Sequence, residues 1–171
     1  MRFVAVGQEQ HYLCAPRPAT VEASIGMSPA MADITVVWER IELPYERVAL
    51  RTPYGRFLSC QVDDDRPRMT LTDDLGPREA FEEILWPDGE VSFRTYELTY
   101  ISVTQGQEWS VDCGGTATGG AERFRYVEPP DHLLEKSEEV VEHQPQVPDM
   151  PRQFAHTTEE LRDHSKGNGQ G

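Results

Sequence analysis

The chain has 171 residues, 30 of them acidic and 16 basic, for a formal net charge of −14. That length accommodates one well-buried domain and is too short for two ordinary ones. The acidic balance excludes recognition led by nucleic-acid phosphates or anionic headgroups, which needs clustered Lys and Arg, and no apolar run approaches the ~18 residues of a membrane-spanning helix.

In chain order, Phe3–Val6 alternates in the period-2 manner of a half-buried strand, and His11–Ala15, Val21–Ala23 and Ile34–Ile41 read as three more. The insertion Ser24–Ala32, with Met27 and Met31, reads as a loop folded back onto the domain. Val48–Thr52 is followed by the turn Pro53-Tyr54-Gly55 and a returning strand, Arg56–Cys60. An acidic loop, Asp63 to Pro67, leads to Met69–Thr72. A turn at Gly76-Pro77 then leads to Ala80–Trp86, and Pro87-Asp88-Gly89 closes the unit. Val91–Thr95, Thr99–Val103, Trp109–Asp112 and Arg123–Val127 repeat the arrangement, with a glycine-rich loop over Gly114–Gly120.

One phrase returns at a period of 43: Trp38-Glu39-Arg40-Ile41, Phe81-Glu82-Glu83-Ile84 and Phe124-Arg125-Tyr126-Val127. A fixed period of this length means one supersecondary unit copied along the chain. Twelve short strands in three equal units predict an all-β protein, a β-trefoil over 1–128, in which six strands close a barrel and six cap it. Leu13, Leu58 and Ile101, with Trp38, Phe81 and Phe124, are then equivalent triplets and fill the barrel.

Val48-Ala49-Leu50-Arg51-Thr52, the Gly55 turn, Arg56-Phe57-Leu58-Ser59 and the later Phe81-Glu82 resemble the fascin-type trefoil repeat, shared with hisactophilin. The resemblance extends in weaker form to Val91–Ser102 with Phe124, and thins in the first repeat. It implies the trefoil fold. The actin bundling known in that family is not expected here, because bundling fascins resemble four tandem trefoils with basic surfaces and this chain is a single acidic one.

Candidate chemistry is sparse. Asp63, Asp64 and Asp65 with Asp73 and Asp74 lack the alternate spacing and distal Glu of a Ca²⁺ loop, so no metal and no cofactor is expected. His11 and Cys14 are three apart on a strand and point to opposite faces, which argues against a nucleophile pair. No hydrolase, zinc or nucleotide motif occurs, so the expectation is a non-enzyme. Gln107-Glu108-Trp109 matches the Q-x-W signature of ricin-type lectins once. Trp109 and Gln107, with Asp63, Asp64 and Arg66 on the acidic loop, are therefore the candidate ligand-binding residues.

Residues 129–171 form an acidic tail with nine acids, four bases, five prolines and a single aromatic residue, Phe154. Asp131 is placed to cap a helix running to about His143, in which Leu133, Leu134, Val140 and Val141 recur seven apart. The rest reads as disordered or as a docking arm, with these residues and Phe154 as the partner-facing set. The cysteines (Cys14, Cys60, Cys113) show no CxxC spacing, and Met1-Arg2-Phe3 does not open a secretory signal. A reduced, cytoplasmic protein is the first expectation, with one disulfide plus a free thiol as the second. The function expected is a binding or scaffolding module for a protein partner or sister subunits. An accessory subunit of an assembly such as a phage virion, built in the host cytoplasm, and a carbohydrate-binding trefoil are the alternatives.

Overall fold

The computed structural model describes residues 2–17 and 25–143. Twelve strands run β1 (Arg2–Gln8), β2 (His11–Cys14), β3 (Gly26–Ser28), β4 (Trp38–Leu43), β5 (Arg47–Arg51), β6 (Phe57–Asp63), β7 (Arg66–Thr72), β8 (Phe81–Leu85), β9 (Val91–Arg94), β10 (Tyr100–Thr104), β11 (Ser110–Gly115) and β12 (Arg125–Val127). One helix, α1 (Asp131–Glu142), follows.

Six strands close on themselves. β1 pairs with β4, β4 with β5, β5 with β8 and β8 with β9, all antiparallel. The Val91–Phe124 bridge carries β9 to the segment of β12, and β12 returns to β1. Closure leaves the barrel without a free edge. The hairpins β2–β3, β6–β7 and β10–β11 form the cap. This is the β-trefoil the period predicts.

Both predicted triplets lie inside, each residue at 1% exposure or less, together with Val4, Val6, Val48, Leu50, Val91 and Phe93 from the barrel strands. Burying one such side chain contributes about 1.5–3 kcal/mol, so these positions dominate the stability of the fold. Trp38 also satisfies its indole, which donates to the Leu13 carbonyl at 3.0 Å.

Several local readings are corrected. The first repeat's capping strand is Gly26–Ser28, while the predicted Val21–Ala23 lies outside the described residues. The stretch from Ile34 opens with a 3-10 turn, Ile34–Val36, before β4. Gly114 and Gly115 belong to β11; a Cβ at Gly115 would come within 3.1 Å of both the Tyr100 carbonyl oxygen and Glu122, so the glycine there serves close packing. Asp131 lies in the first turn of α1, and Pro130 is the residue before it, so Asp131 acts on the helix dipole instead of capping.

The reduced-cysteine expectation is also corrected. Cys60 on β6 and Cys113 on β11 are disulfide-bonded, with Cα atoms 6.2 Å apart. Both are buried, while Cys14 is free and half-buried, its Sγ 3.4 Å from the Thr35 hydroxyl. No helix among the described residues is long and apolar enough to cross a membrane.

Candidate functional site

The site follows from how the three repeats differ at equivalent positions. Before each closing barrel strand comes a 3-10 turn: Ile34–Val36, Pro77–Glu79 and Gly120–Glu122. In the second and third repeats the last residue of the turn folds back. Glu79 accepts from the Gly76 N–H at 2.7 Å and from the Ser59 hydroxyl at 2.5 Å. Glu122 accepts from the Gly119 N–H at 3.0 Å and from Ser102 at 2.7 Å.

The first repeat has Val36 and Cys14 where the others have Glu and Ser, and Asp33 takes over the capping, accepting from the Thr35 N–H at 3.0 Å. The Thr35 hydroxyl also donates to Asp33, and together with Arg17 these contacts hold the Asp33 carboxyl below its ordinary range. Without the Glu–Ser hydrogen bond there is an apolar face of Ile34, Val36 and Val37, and α1 lies on it through Leu133 and Val140.

Each turn approaches the first hairpin of the following repeat, and the residue in the middle of the turn decides what the gap becomes. At positions 35, 78 and 121 stand Thr, Arg and Ala. Arg78 crosses its gap: its guanidinium donates to Glu97 at 2.7 Å and lies 5.4 Å above the Tyr96 ring. Thr35 is short, and that gap keeps a cavity of about 690 Å³ bounded by Tyr54 and by His132, Leu133 and Lys136 of α1. The Ala121 methyl is too short to bridge its gap. A cleft of about 660 Å³ remains there between the 120–122 turn and the Glu9-Gln10 turn of the first repeat.

Gln8, Gln10, Gln105, Tyr12, Glu9, Glu90, Arg123 and Arg125 supply its polar groups. Gln8 is buried, and its Nε2 donates to the carbonyls of Ala121 at 3.2 Å and Arg123 at 3.0 Å, which orients the amide. Its Oε1 has no donor. Gln105 donates to Glu9 at 2.6 Å across the join between repeats. Arg123 stacks 4.1 Å above Trp86 and donates to the Thr118 carbonyl at 3.1 Å, with Glu90 at 3.6 Å. Arg125 donates to the Asp88 carbonyl at 3.2 Å and lies 4.0 Å from Glu90. Gly7 is required here by close approach: a Cβ would come within 3.2 Å of two Tyr12 ring carbons.

The residues singled out from sequence fall elsewhere. Trp109 packs against the main core and stacks on His11, with ring centroids 3.5 Å apart and planes 7° from parallel, so one face of the indole is covered. Gln107 is exposed on the preceding loop. Asp63 closes the β6–β7 hairpin and pairs with Arg68 at 3.0 Å, while Asp64 and Asp65 form its two-residue turn with φ of 52° and 63°, and Arg66 begins β7. Such a turn needs left-handed backbone, which Asp tolerates. Among the described residues no three His, Cys, Asp or Glu side chains gather as metal ligands. In α1, Leu133 is buried against the trefoil, Leu134, Val140 and Val141 are half-buried, and Phe154 lies outside the described residues.

The cleft residues were not legible as a site, because they are drawn from both ends of the chain. The available signal was the 43-residue register, in which Thr35, Arg78 and Ala121 disagree in size and charge.

No family model and no curated protein matches the chain. Solved structures do. A designed 3-fold symmetric protein, ThreeFoil, superposes with a TM-score of 0.65 at 12% identity, over 74% of this chain and 98% of that one. A mosquitocidal holotoxin superposes with a TM-score of 0.66 at 6% identity, over 77% of this chain and 18% of the toxin. The shared feature is the β-trefoil. At these identities the likeness is one of fold, and neither match carries the fascin-type resemblance beyond it.

Proposed function

We propose that the chain is a non-enzymatic binding module that presents contact surface where its repeats diverge. One observation carries this reading. Of three equivalent gaps, one is bridged by Arg78, while two stay open: the first holds a cavity of about 690 Å³ against Tyr54 and α1, and the third, beside Ala121, is lined with hydrogen-bonding groups from two repeats. Divergence at equivalent positions is the pattern of a scaffold adapted repeat by repeat, since the fold does not draw its core from these surface groups. The residues beyond 143 serve as an arm toward a protein partner or a sister subunit, and membership of a larger assembly such as a virion is compatible with both surfaces. The fascin-type resemblance contributes the fold to this reading, and actin bundling forms no part of it.

A carbohydrate ligand is the second reading, favoured by the polar lining of the open cleft. The Cys60–Cys113 disulfide favours work in an oxidising setting over a reducing cytoplasm, where such bonds are rare. The test is an affinity pull-down from the native host with the full chain, with a version ending at residue 143, and with Ala121→Arg. Specific capture of one identified partner, lost in either altered version, supports the module. Capture that neither change affects removes the cleft and the arm from the proposal.

A further inference from the structure

The three gaps are built by the same elements, so the filled one shows what the open one lacks. Arg78 and Ala121 occupy equivalent places in their 3-10 turns, 43 residues apart, and a guanidinium at 121 would face Glu9 much as Arg78 faces Glu97. With a methyl group in place of that long side chain, the gap at Ala121 stays unbridged.

Its lining indicates the class of ligand. The charged groups are two carboxylates, Glu9 and Glu90, and two guanidiniums, Arg123 and Arg125, which balance. Each is already engaged: Glu9 by Gln105, Arg123 by the Thr118 carbonyl and the Trp86 ring, Arg125 by the Asp88 carbonyl, and Glu90 by both arginines. An anion would have to compete with the contacts that hold Arg123 and Arg125, and the two carboxylates of the lining offset its two guanidiniums, so a charged ligand of either sign gains little. The remaining capacity is neutral: the carboxamides of Gln10 and Gln105, the second lone pairs of the engaged carboxylates, and the Tyr12 ring on the wall. Planar amides and carboxylates that both give and take hydrogen bonds, beside an aromatic ring, match a ligand with a hydroxyl-studded edge and a C–H face. The volume of about 660 Å³ lies in the usual range for small-ligand sites.

Resting on the binding-module reading, we infer that the cleft between the 120–122 turn and the Glu9-Gln10 turn is a site for a neutral saccharide, open because Ala121 stands where Arg78 stands in the preceding repeat. The probe is an array of neutral mono- and oligosaccharides printed beside sialylated and sulfated ones, followed by calorimetric titration of the best neutral sugar. Native chain, Ala121→Arg and Gln105→Ala are compared; both substitutions are at exposed positions, and matched thermal midpoints verify folding. Saturable binding of a neutral sugar is expected, weaker by about tenfold or more in Ala121→Arg, a loss of about 1.4 kcal/mol, and weakened in Gln105→Ala. A silent array, binding that Ala121→Arg leaves intact, or a preference for sulfated or sialylated probes would overturn the inference. A silent array combined with a protein partner lost in the Ala121→Arg pull-down removes the saccharide and leaves the module standing.

Discussion

Leu98 has φ of 65° in the loop between β9 and β10, at the place where the second repeat has Gly55 with φ of 92°. A left-handed conformation costs a residue with a Cβ about 1–2 kcal/mol, and Leu98 recovers little of it by packing, since it is 69% exposed. Leu98→Gly is therefore expected to raise stability by about 0.5–1 kcal/mol after the extra unfolded-state entropy of glycine, read as a higher urea midpoint with an unchanged slope. The residue is legible in the sequence only through the repeat, because Thr95-Tyr96-Glu97-Leu98 carries no turn signal of its own. By contrast Asp64-Asp65, read from composition as a loop for ligands, has its local explanation in a two-residue hairpin turn.

Helix α1 depends on the divergence of the first repeat. Val36 stands where Glu79 and Glu122 bind serines, and the apolar face so formed is covered by Leu133. Leu133→Ala is expected to cost about 2–4 kcal/mol, measured by chemical denaturation, while Val141→Ala, at a less buried position, changes stability much less. The helix span and its apolar residues were readable in the sequence. Which of them face inward was not, because the seven-residue recurrence does not say that a domain surface waits for Leu133. The packed unit thus continues through α1, past the composition break at 128.

Two features act across the whole barrel. Arg40, Glu83 and Tyr126 are 43 residues apart and meet: Arg40 donates to Glu83 at 2.9 and 2.5 Å, and Tyr126 donates to the same carboxylate. Burial works against the charge on Glu83, but the bonds from Arg40 and Tyr126 outweigh it and hold the carboxyl below its ordinary range. Burial, with Glu83 alongside, pushes the Tyr126 phenol well above its ordinary range. The depressed Glu83 contributes stability that is present above its unfolded value and is lost as the pH falls through its lower folded value. The raised Tyr126 contributes stability present below its unfolded value, near 10, and lost as the pH rises beyond it. Glu83→Gln should cost about 2–3 kcal/mol at neutral pH and flatten the acid limb of a pH–stability curve. Tyr126→Phe should flatten the alkaline limb.

The second feature is the disulfide, which joins β6 to β11 over a sequence separation of 53. In the chain-entropy model, losing that cross-link costs about 4 kcal/mol. The double substitution Cys60→Ala with Cys113→Ala, unfolded in urea beside the native chain, should lower the midpoint accordingly, and an unchanged midpoint would refute the assignment.

The period of 43 by itself determined the trefoil, because a barrel with threefold repetition needs the same large apolar residue at each equivalent place, and such residues are recognisable one at a time: Trp38, Phe81, Phe124. Only the tertiary structure decided the rest. Cys60 pairs with Cys113, Arg40 with Glu83 and Tyr126, and the Ala121 turn faces Glu9 across a cleft, because each joins residues from different repeats whose meeting depends on how the chain closes in three dimensions. Local pattern reports which face of a strand is buried; it does not report what stands opposite once the first strand pairs with the last.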